Sequence, residues 1–261
     1  MKTLKEHILY LLSQGKYFFS KHGTMLELAI DQSQFRYQAY RLSKKGFIKK
    51  LDNNFFMIIP AEYQQLGTLP PHWIVDAFMK HLNQAYYIGL LSAASLYGST
   101  EQQPMTFQVI TNKMTKKIEL GRSEIEFFYF KDCSASIKAQ LTVPTGYVNI
   151  STKEQTIVDL VRFYKVSGYM SNVALVIKSL SQECEPSRLA DVIEHEKNKS
   201  VLQRLGYILE FVEQSGLANI IEKELSARKM EYILLRPDCG NKDGEKVSRW
   251  KIVINDTLDL Q

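Results

Sequence analysis

The chain has little of what builds a metal centre or a disulfide scaffold. Its 261 residues include only three cysteines, Cys133, Cys184 and Cys239, an odd number with no Cys-x-x-Cys pair. The five histidines, at 7, 22, 72, 81 and 195, show no ligand spacing with them. A zinc site is excluded on that pattern, and three scattered free thiols suit a reducing compartment. Long apolar runs are also missing. The opening MKTLKEHILYLL is too short in apolar length and too charged for a secretory signal, and nothing reaches membrane-spanning length. The expectation is a cytoplasmic protein with no membrane partner and no cofactor. Low-complexity segments and internal repeats are absent too.

What is present is globular: 45% hydrophobic and 11% aromatic residues, in a length that suits two domains. The net charge of +5 is unevenly spread. Residues 1–60 hold ten Lys/Arg against four acids, a net of +6, while the other 201 residues carry 23 bases and 24 acids. The excess positive charge therefore sits in one segment, the electrostatic footprint of a nucleic-acid reader.

That segment centres on residues 34–59. Phe35, Ala39 and Leu42 fall three and four apart and share a helical face. Arg36, Tyr37, Tyr40, Arg41, Lys44 and Lys45 point the other way, and Gly46 supplies a stop where left-handed backbone costs little. Phe47-Ile48 and Phe55-Met57-Ile59 read as two strands joined by Asp52-Asn53-Asn54, with Lys49 and Lys50 near the tip. Helix, glycine and hairpin predict the recognition helix and wing of a winged helix-turn-helix, the helix in a major groove and the wing along phosphates. The DNA-contacting set predicted from this pattern is Gln34, Arg36, Tyr37, Tyr40, Arg41, Lys44, Lys45, Lys49, Lys50 and Asn53. Arginine can read guanine bidentately, while the lysines meet phosphates and fix register.

Upstream, Leu4, Ile8, Leu11 and Leu12 predict an amphipathic first helix ending near Gly15, and Tyr17-Phe18-Phe19 an edge strand. A second helix is expected to open at Gly23-Thr24, with Thr24 capping against Glu27 and Leu26, Leu28 and Ala29 turned inward. Downstream, Leu66-Gly67-Thr68-Leu69-Pro70-Pro71 marks a boundary that forbids helix. Helices are predicted over 73–82 and 89–97, then strands over 106–110, 117–120, 125–130 and 147–150. Ser151 and Glu154 predict a cap for the next helix. Four helical pieces follow at 173–180, 189–196, 201–213 and 217–227. Strands at 232–235 and 250–254 flank a polar loop, 238–248. The fold class is α+β: a winged helix-turn-helix domain over residues 1–62, then a larger α+β domain over 63–261 with early strands and late helices.

Across nearly its whole length the sequence resembles the AbiEi-type antitoxins of bacterial type IV toxin–antitoxin systems. The resemblance is carried by LSKKGFIKKL, PAEYQQLGTLPPHWIVDAFMKHL, YYIGLLSAASLYGSTEQQPMTFQVIT, VPTGYVNISTKEQTIVDLVRF and LQRLGYILE. It implies an N-terminal domain that binds double-stranded DNA upstream of its own operon and represses it. It also implies a C-terminal domain that counteracts a nucleotidyltransferase toxin, functionally if not by direct binding.

Enzymatic alternatives founder on missing acids. Leu96-Tyr97-Gly98-Ser99 looks like the Gly-Ser turn of nucleotidyltransferases, which need paired carboxylates for magnesium on the next strand. That strand, Thr106–Ile110, carries none, and Glu101 is the one carboxylate between Ser99 and Ile118. A winged-helix-targeted metal-dependent nuclease would use Glu124 and Glu126 with Lys131, but these acids alternate with Ile125 and Phe127 as on any half-exposed strand. Lys113, Lys116 and Lys117 read as a solvated turn, with contact to nucleic acid or an acidic toxin surface as the alternative. A ligand-sensing transcription factor without a toxin also fits the pattern. The prediction is a non-enzymatic repressor and antitoxin.

Overall fold

A computed structural model describes residues 3–100 and 105–260. Glu101, weighed above as a carboxylate near the Gly-Ser turn, lies outside the described residues. Two compact units emerge, each assembled from several stretches of chain. One comprises Met1–Tyr86, Met105–Ser134 and Gln140–Asn149; the other comprises Tyr87–Pro104, Ala135–Ala139 and Ile150–Gln261.

The first unit begins with α1 (Leu4–Ser13), β1 (Phe18–Ser20), α2 (Lys21–Leu28), α3 (Gln32–Lys44), β2 (Ile48–Asp52) and β3 (Phe55–Ile58). Thr3 caps α1 in a reciprocal capping box with Glu6. The three strands form an antiparallel sheet in the order β1-β3-β2, so the Tyr17–Phe19 region does supply an edge. Leu4, Ile8, Phe19, Phe35, Leu42 and Phe56 belong to one buried cluster between helices and sheet. Phe56 anchors it, stacked on Phe19 at 5.3 Å and meeting Phe35 edge-on at 5.5 Å.

The start of α2 differs from the expected one. Ser20, in extended backbone at the end of β1, accepts from Gly23 N and caps a helix that opens at Lys21. Thr24 is therefore inside the helix and buried, and the Thr24–Glu27 capping box does not form. At about 100° per residue Thr24 and Leu28, four apart, share one face, and Leu26 between them falls on the other. Thr24 and Leu28 point inward, whereas Leu26 is 70% exposed and Ala29 sits in a left-handed cap at φ 50°.

Beyond a short 3-10 turn at Ala61–Tyr63 the first unit continues with α4 (Pro71–Leu82). Pro71 stands in its first turn, where the missing N–H costs nothing. After β4 (Tyr86–Ile88) and α5 (Leu90–Leu96) come β5 (Thr106–Thr111), β6 (Ile118–Leu120) and β7 (Ser123–Tyr129). These three run in the order β6-β7-β5, with β5 parallel and β6 antiparallel to β7. A hairpin follows, β8 (Lys138–Val143) and β9 (Gly146–Ser151). β4 and β8 were not anticipated. Tyr86, Tyr87 and Ile88 are all buried, so a three-residue apolar run shows no period-2 signal.

The second unit is mostly helical: α6 (Lys153–Arg162), α7 (Tyr169–Leu180), α8 (Pro186–Glu194), α9 (Lys199–Phe211) and α10 (Ser215–Ser226). β4 and β9 pair in parallel here at Ile88 and Ile150. Thr152, not Ser151, caps α6 by accepting from Gln155 N. Ser151 ends β9, and its hydroxyl meets Thr156 Oγ1 at 2.7 Å. The closing segment is a small sheet of β10 (Ile233–Leu234), β11 (Glu245–Val247) and β12 (Ile252–Ile254), ordered β10-β12-β11. β11 lies within the loop expected at 238–248. The mixed α+β class stands, with helices and several separate sheets.

Candidate nucleic-acid interface

α3 is the most deliberately bounded helix in the first unit. Asp31 accepts from Ser33 N at 2.7 Å and Gln34 N at 2.8 Å, and Gln34 Oε1 accepts in return from Asp31 N at 3.1 Å. These bonds hold the Asp31 carboxyl below its ordinary value, chiefly through the Gln34 amide. At the other end Gly46 takes φ 75°, Gly46 N donates to Ser43 O and Phe47 N donates to Leu42 O. That is the paired bonding of a Schellman stop, and it turns the chain straight into β2.

Between these caps Phe35, Ala39 and Leu42 are buried, and Gln34, Arg36, Tyr37, Tyr40, Arg41, Lys44 and Lys45 are exposed. Tyr37 and Tyr40 keep 63% and 62% of their surface in solvent. Each tyrosine carries a cation one turn on: the Arg41 guanidinium and the Lys44 ammonium both sit 5.6 Å from their ring centroids. Arg36 has no ion pair or side-chain hydrogen bond among the described residues. With Gln32, Ser33, Tyr37 and Tyr40 it lines an open groove of about 500 Å³. Gln32 and Ser33 were not in the predicted set. The signal that would have placed them was Asp31 with Gln34 three residues later, which starts the helix at Gln32.

The hairpin divides the two lysines that the sequence groups together. Lys50 is exposed and donates to Asn53 Oδ1 at 3.0 Å, beside the turn. Lys49 lies on the opposite face of β2, half-buried, and burial lowers its pKa against the opposing pull of Glu119. On the first unit's own framework, His81 of α4 stacks on Phe55 at 4.5 Å and faces Asp52 at 3.4 Å.

Several of the residues weighed for enzymatic chemistry have other occupations. Gly98, at φ 75°, donates to Ser95 O, and Ser99 N donates to Ala94 O. The Gly-Ser pair is thus the Schellman stop of α5. Gln108 and Val109 of β5 are buried. Glu124 is held by Lys117 at 2.7 Å, and it lies opposite Glu119 in the β6–β7 register. Among the described residues no group of three or more His, Cys, Asp or Glu is placed to hold a metal ion. Cys133 is buried, and burial pushes the Cys184 thiol up to about 12, away from nucleophilic use.

The second unit contains a buried polar network. Arg162 bridges Asp159 and Glu196, which are 0% and 7% exposed. Asp159 also accepts from Tyr87 Oη at 2.8 Å and Gln155 Nε2 at 3.1 Å. Burial raises the Asp159 pKa, and Arg162 opposes that rise. α9 fastens the closing sheet. Gln203 donates to Trp250 O at 2.9 Å and Glu231 O at 3.0 Å, and Arg204 donates to Leu234 O and Leu235 O. The buried Trp250 ring lies on Gly206 so closely that a Cβ there would come within 2.1 Å of it. Glu210 receives Arg249 at 2.5 Å and the Trp250 indole N–H.

No helix among the described residues is long and apolar enough to cross a membrane. A crystal structure of the RV2827C protein from Mycobacterium tuberculosis superposes with a TM-score of 0.67, covering 94% of this chain and 89% of that one at 13% identity. That likeness establishes the fold. No curated protein matches the sequence. The family model described as AbiEi antitoxin C-terminal domain matches residues 87–211, a span that begins where the second compact unit begins. Residues 87–211 are thus similar to the AbiEi antitoxin C-terminal domain, which supports an AbiEi-type antitoxin.

Proposed function

We propose that the protein is a DNA-binding autorepressor and antitoxin that counteracts a cognate nucleotidyltransferase toxin without being an enzyme itself. The observation that carries the DNA-binding half is the outer face of α3. It is capped at both ends, exposed along its length, rich in arginine, lysine and tyrosine, and followed by a glycine stop and a hairpin. That order is the one a winged helix uses to lay a helix in the major groove. In this reading Arg36, Tyr37 and Tyr40 approach base edges, with Gln34 at the entrance, while Arg41, Lys44, Lys45, Lys50 and Asn53 hold phosphates. Lys49, half-buried, sits at the margin of that set.

The antitoxin half rests on the family of residues 87–211. Toxin neutralisation, by direct binding or through a shared target, is assigned to residues 63–261 and DNA reading to residues 1–62. That boundary separates roles and not packing, since Phe55 stacks on His81 and Tyr17 meets Trp73 within the first unit. The whole would work in the cytoplasm, where DNA and toxin are both found.

Full-length protein carrying Arg36→Ala and Arg41→Ala tests both halves. Binding to the DNA immediately upstream of its coding sequence, read by gel shift, should be lost. Protection of cells from the product of the adjacent gene should persist. Unchanged DNA binding would sink the assignment of α3, and loss of both activities would sink the division of labour.

A further inference from the structure

The β5–β6 loop, residues 112–117, is fixed to the same post as the wing. His81, near the C-terminus of α4, faces Asp52 at 3.4 Å and stacks on Phe55, so α4 ends beside the hairpin turn. Two residues past Leu82, the Gln84 carboxamide accepts from Thr115 Oγ1 at 2.8 Å. Ala85 O accepts from Thr111 Oγ1 at 2.9 Å and from Asn112 N at 3.3 Å. Thr115 also turns back to Lys113 O at 3.1 Å. The loop is thereby held in one shape at both ends and in its middle.

Its charges are not evenly used. Lys117 is taken by Glu124 at 2.7 Å. Lys113 and Lys116 are exposed and have no ion pair among the described residues, and Met114 between them is 85% exposed. Of the acids nearby, Asp52 faces His81, Asp76 pairs with Lys80 at 2.7 Å, Glu124 pairs with Lys117, Glu119 lies in the field of Lys49, and Glu119 and Glu126 both act on Lys117. What the loop presents outward is therefore positive charge on a rigid mount. A polyanion with regularly spaced charges complements such a surface.

We infer that Lys113 and Lys116 form a second phosphate-contacting point that extends the DNA footprint past the wing. This rests on the winged-helix reading, and it makes the contact surface larger than residues 1–62. The lysines would add affinity and salt dependence without sequence preference, because phosphate contacts fix register and carry no base information.

The test uses the full-length protein with Lys113→Ala and Lys116→Ala together, on two duplexes. One is the fragment immediately upstream of the coding sequence; the other is that fragment trimmed at the wing-side edge of the footprint. On the full fragment the double variant should lower the slope of log affinity against log salt by about two units, at about 0.9 per phosphate contact. On the trimmed duplex variant and wild type should bind alike. Lys178→Ala with Lys223→Ala removes the same charge from exposed positions of the second unit and should leave the slope unchanged. An unchanged slope on the full fragment overturns the inference, and so does an equal loss on both duplexes. If wild type binds and Arg36→Ala abolishes binding while the slope stays fixed, the winged-helix reading survives and the loop alone is dismissed. If wild type shows no preference for the upstream fragment and Arg36→Ala changes nothing, both fall.

Discussion

Arg36 and Arg162 are the same side chain in opposite circumstances. Arg36 projects from α3 into an open groove with no internal partner among the described residues. Arg162 is 13% exposed and spans two buried carboxylates, Asp159 and Glu196. The contrast extends to their surroundings. The outer face of α3 carries tyrosines more than half exposed, whereas Tyr87 in the second unit is fully buried with its hydroxyl on Asp159. The face of α3 leaves its polar chemistry available to something outside the chain, and the Asp159 network consumes its own in holding the second unit together. A buried ion network contributes little net stability when intact and costs heavily when broken. An exposed cation contributes little to folding at any time.

The largest effect expected from that contrast is therefore on stability. Arg162→Met leaves Asp159 and Glu196 buried without their shared cation and should cost about 3–5 kcal/mol, read from denaturant unfolding. A loss within experimental error would show that the network is dispensable and erase half of the comparison. Next in size is Arg36→Ala. It should leave unfolding unchanged and weaken binding to the upstream operator by about 1–3 kcal/mol if the guanidinium meets guanine bidentately. A shifted melting temperature would mean that Arg36 is structural after all. The smallest effect concerns the cap of α3. The Asp31 pKa lies below its ordinary 3.8 because Gln34 N and Ser33 donate to the carboxylate. A lowered folded-state pKa contributes stability above the unfolded value and loses it as pH falls through the folded one. The advantage of wild type over Asp31→Asn should thus be full near neutrality and shrink below about pH 4, in thermal melts taken across that range. An advantage constant with pH would assign it to geometry and not to charge.

α3 was legible because each of its signals is local: a three-four apolar spacing, a glycine stop, and a charged outer face that no tertiary contact needs to create. α2 was misread because the decisive feature, Ser20 in extended backbone, depends on β1 pairing with β3. Thr24 and Glu27 offered a plausible cap from composition alone. The interior network was illegible for a different reason. Tyr87 and Glu196 are distant in sequence from the Asp159–Arg162 pair of α6, and a buried aspartate on an amphipathic helix reads as solvated until its neighbours are known. The LQRLGYILE segment sits between these cases. Its apolar stripe marks a helix, but Gln203, Arg204, Gly206 and Glu210 gain meaning only from the sheet they fasten.

Trp250 has one more consequence. The chain contains two tryptophans, and they fall one to each compact unit. Trp73 is half-buried, edge-on to Tyr17 at 6.1 Å and Tyr63 at 5.3 Å; Trp250 is wholly buried on Gly206, with its indole N–H on Glu210 and the Arg249 guanidinium 4.9 Å from the ring. The protein therefore carries its own pair of optical probes. With either indole replaced by phenylalanine, the emission that remains follows the melting of a single unit without any added dye.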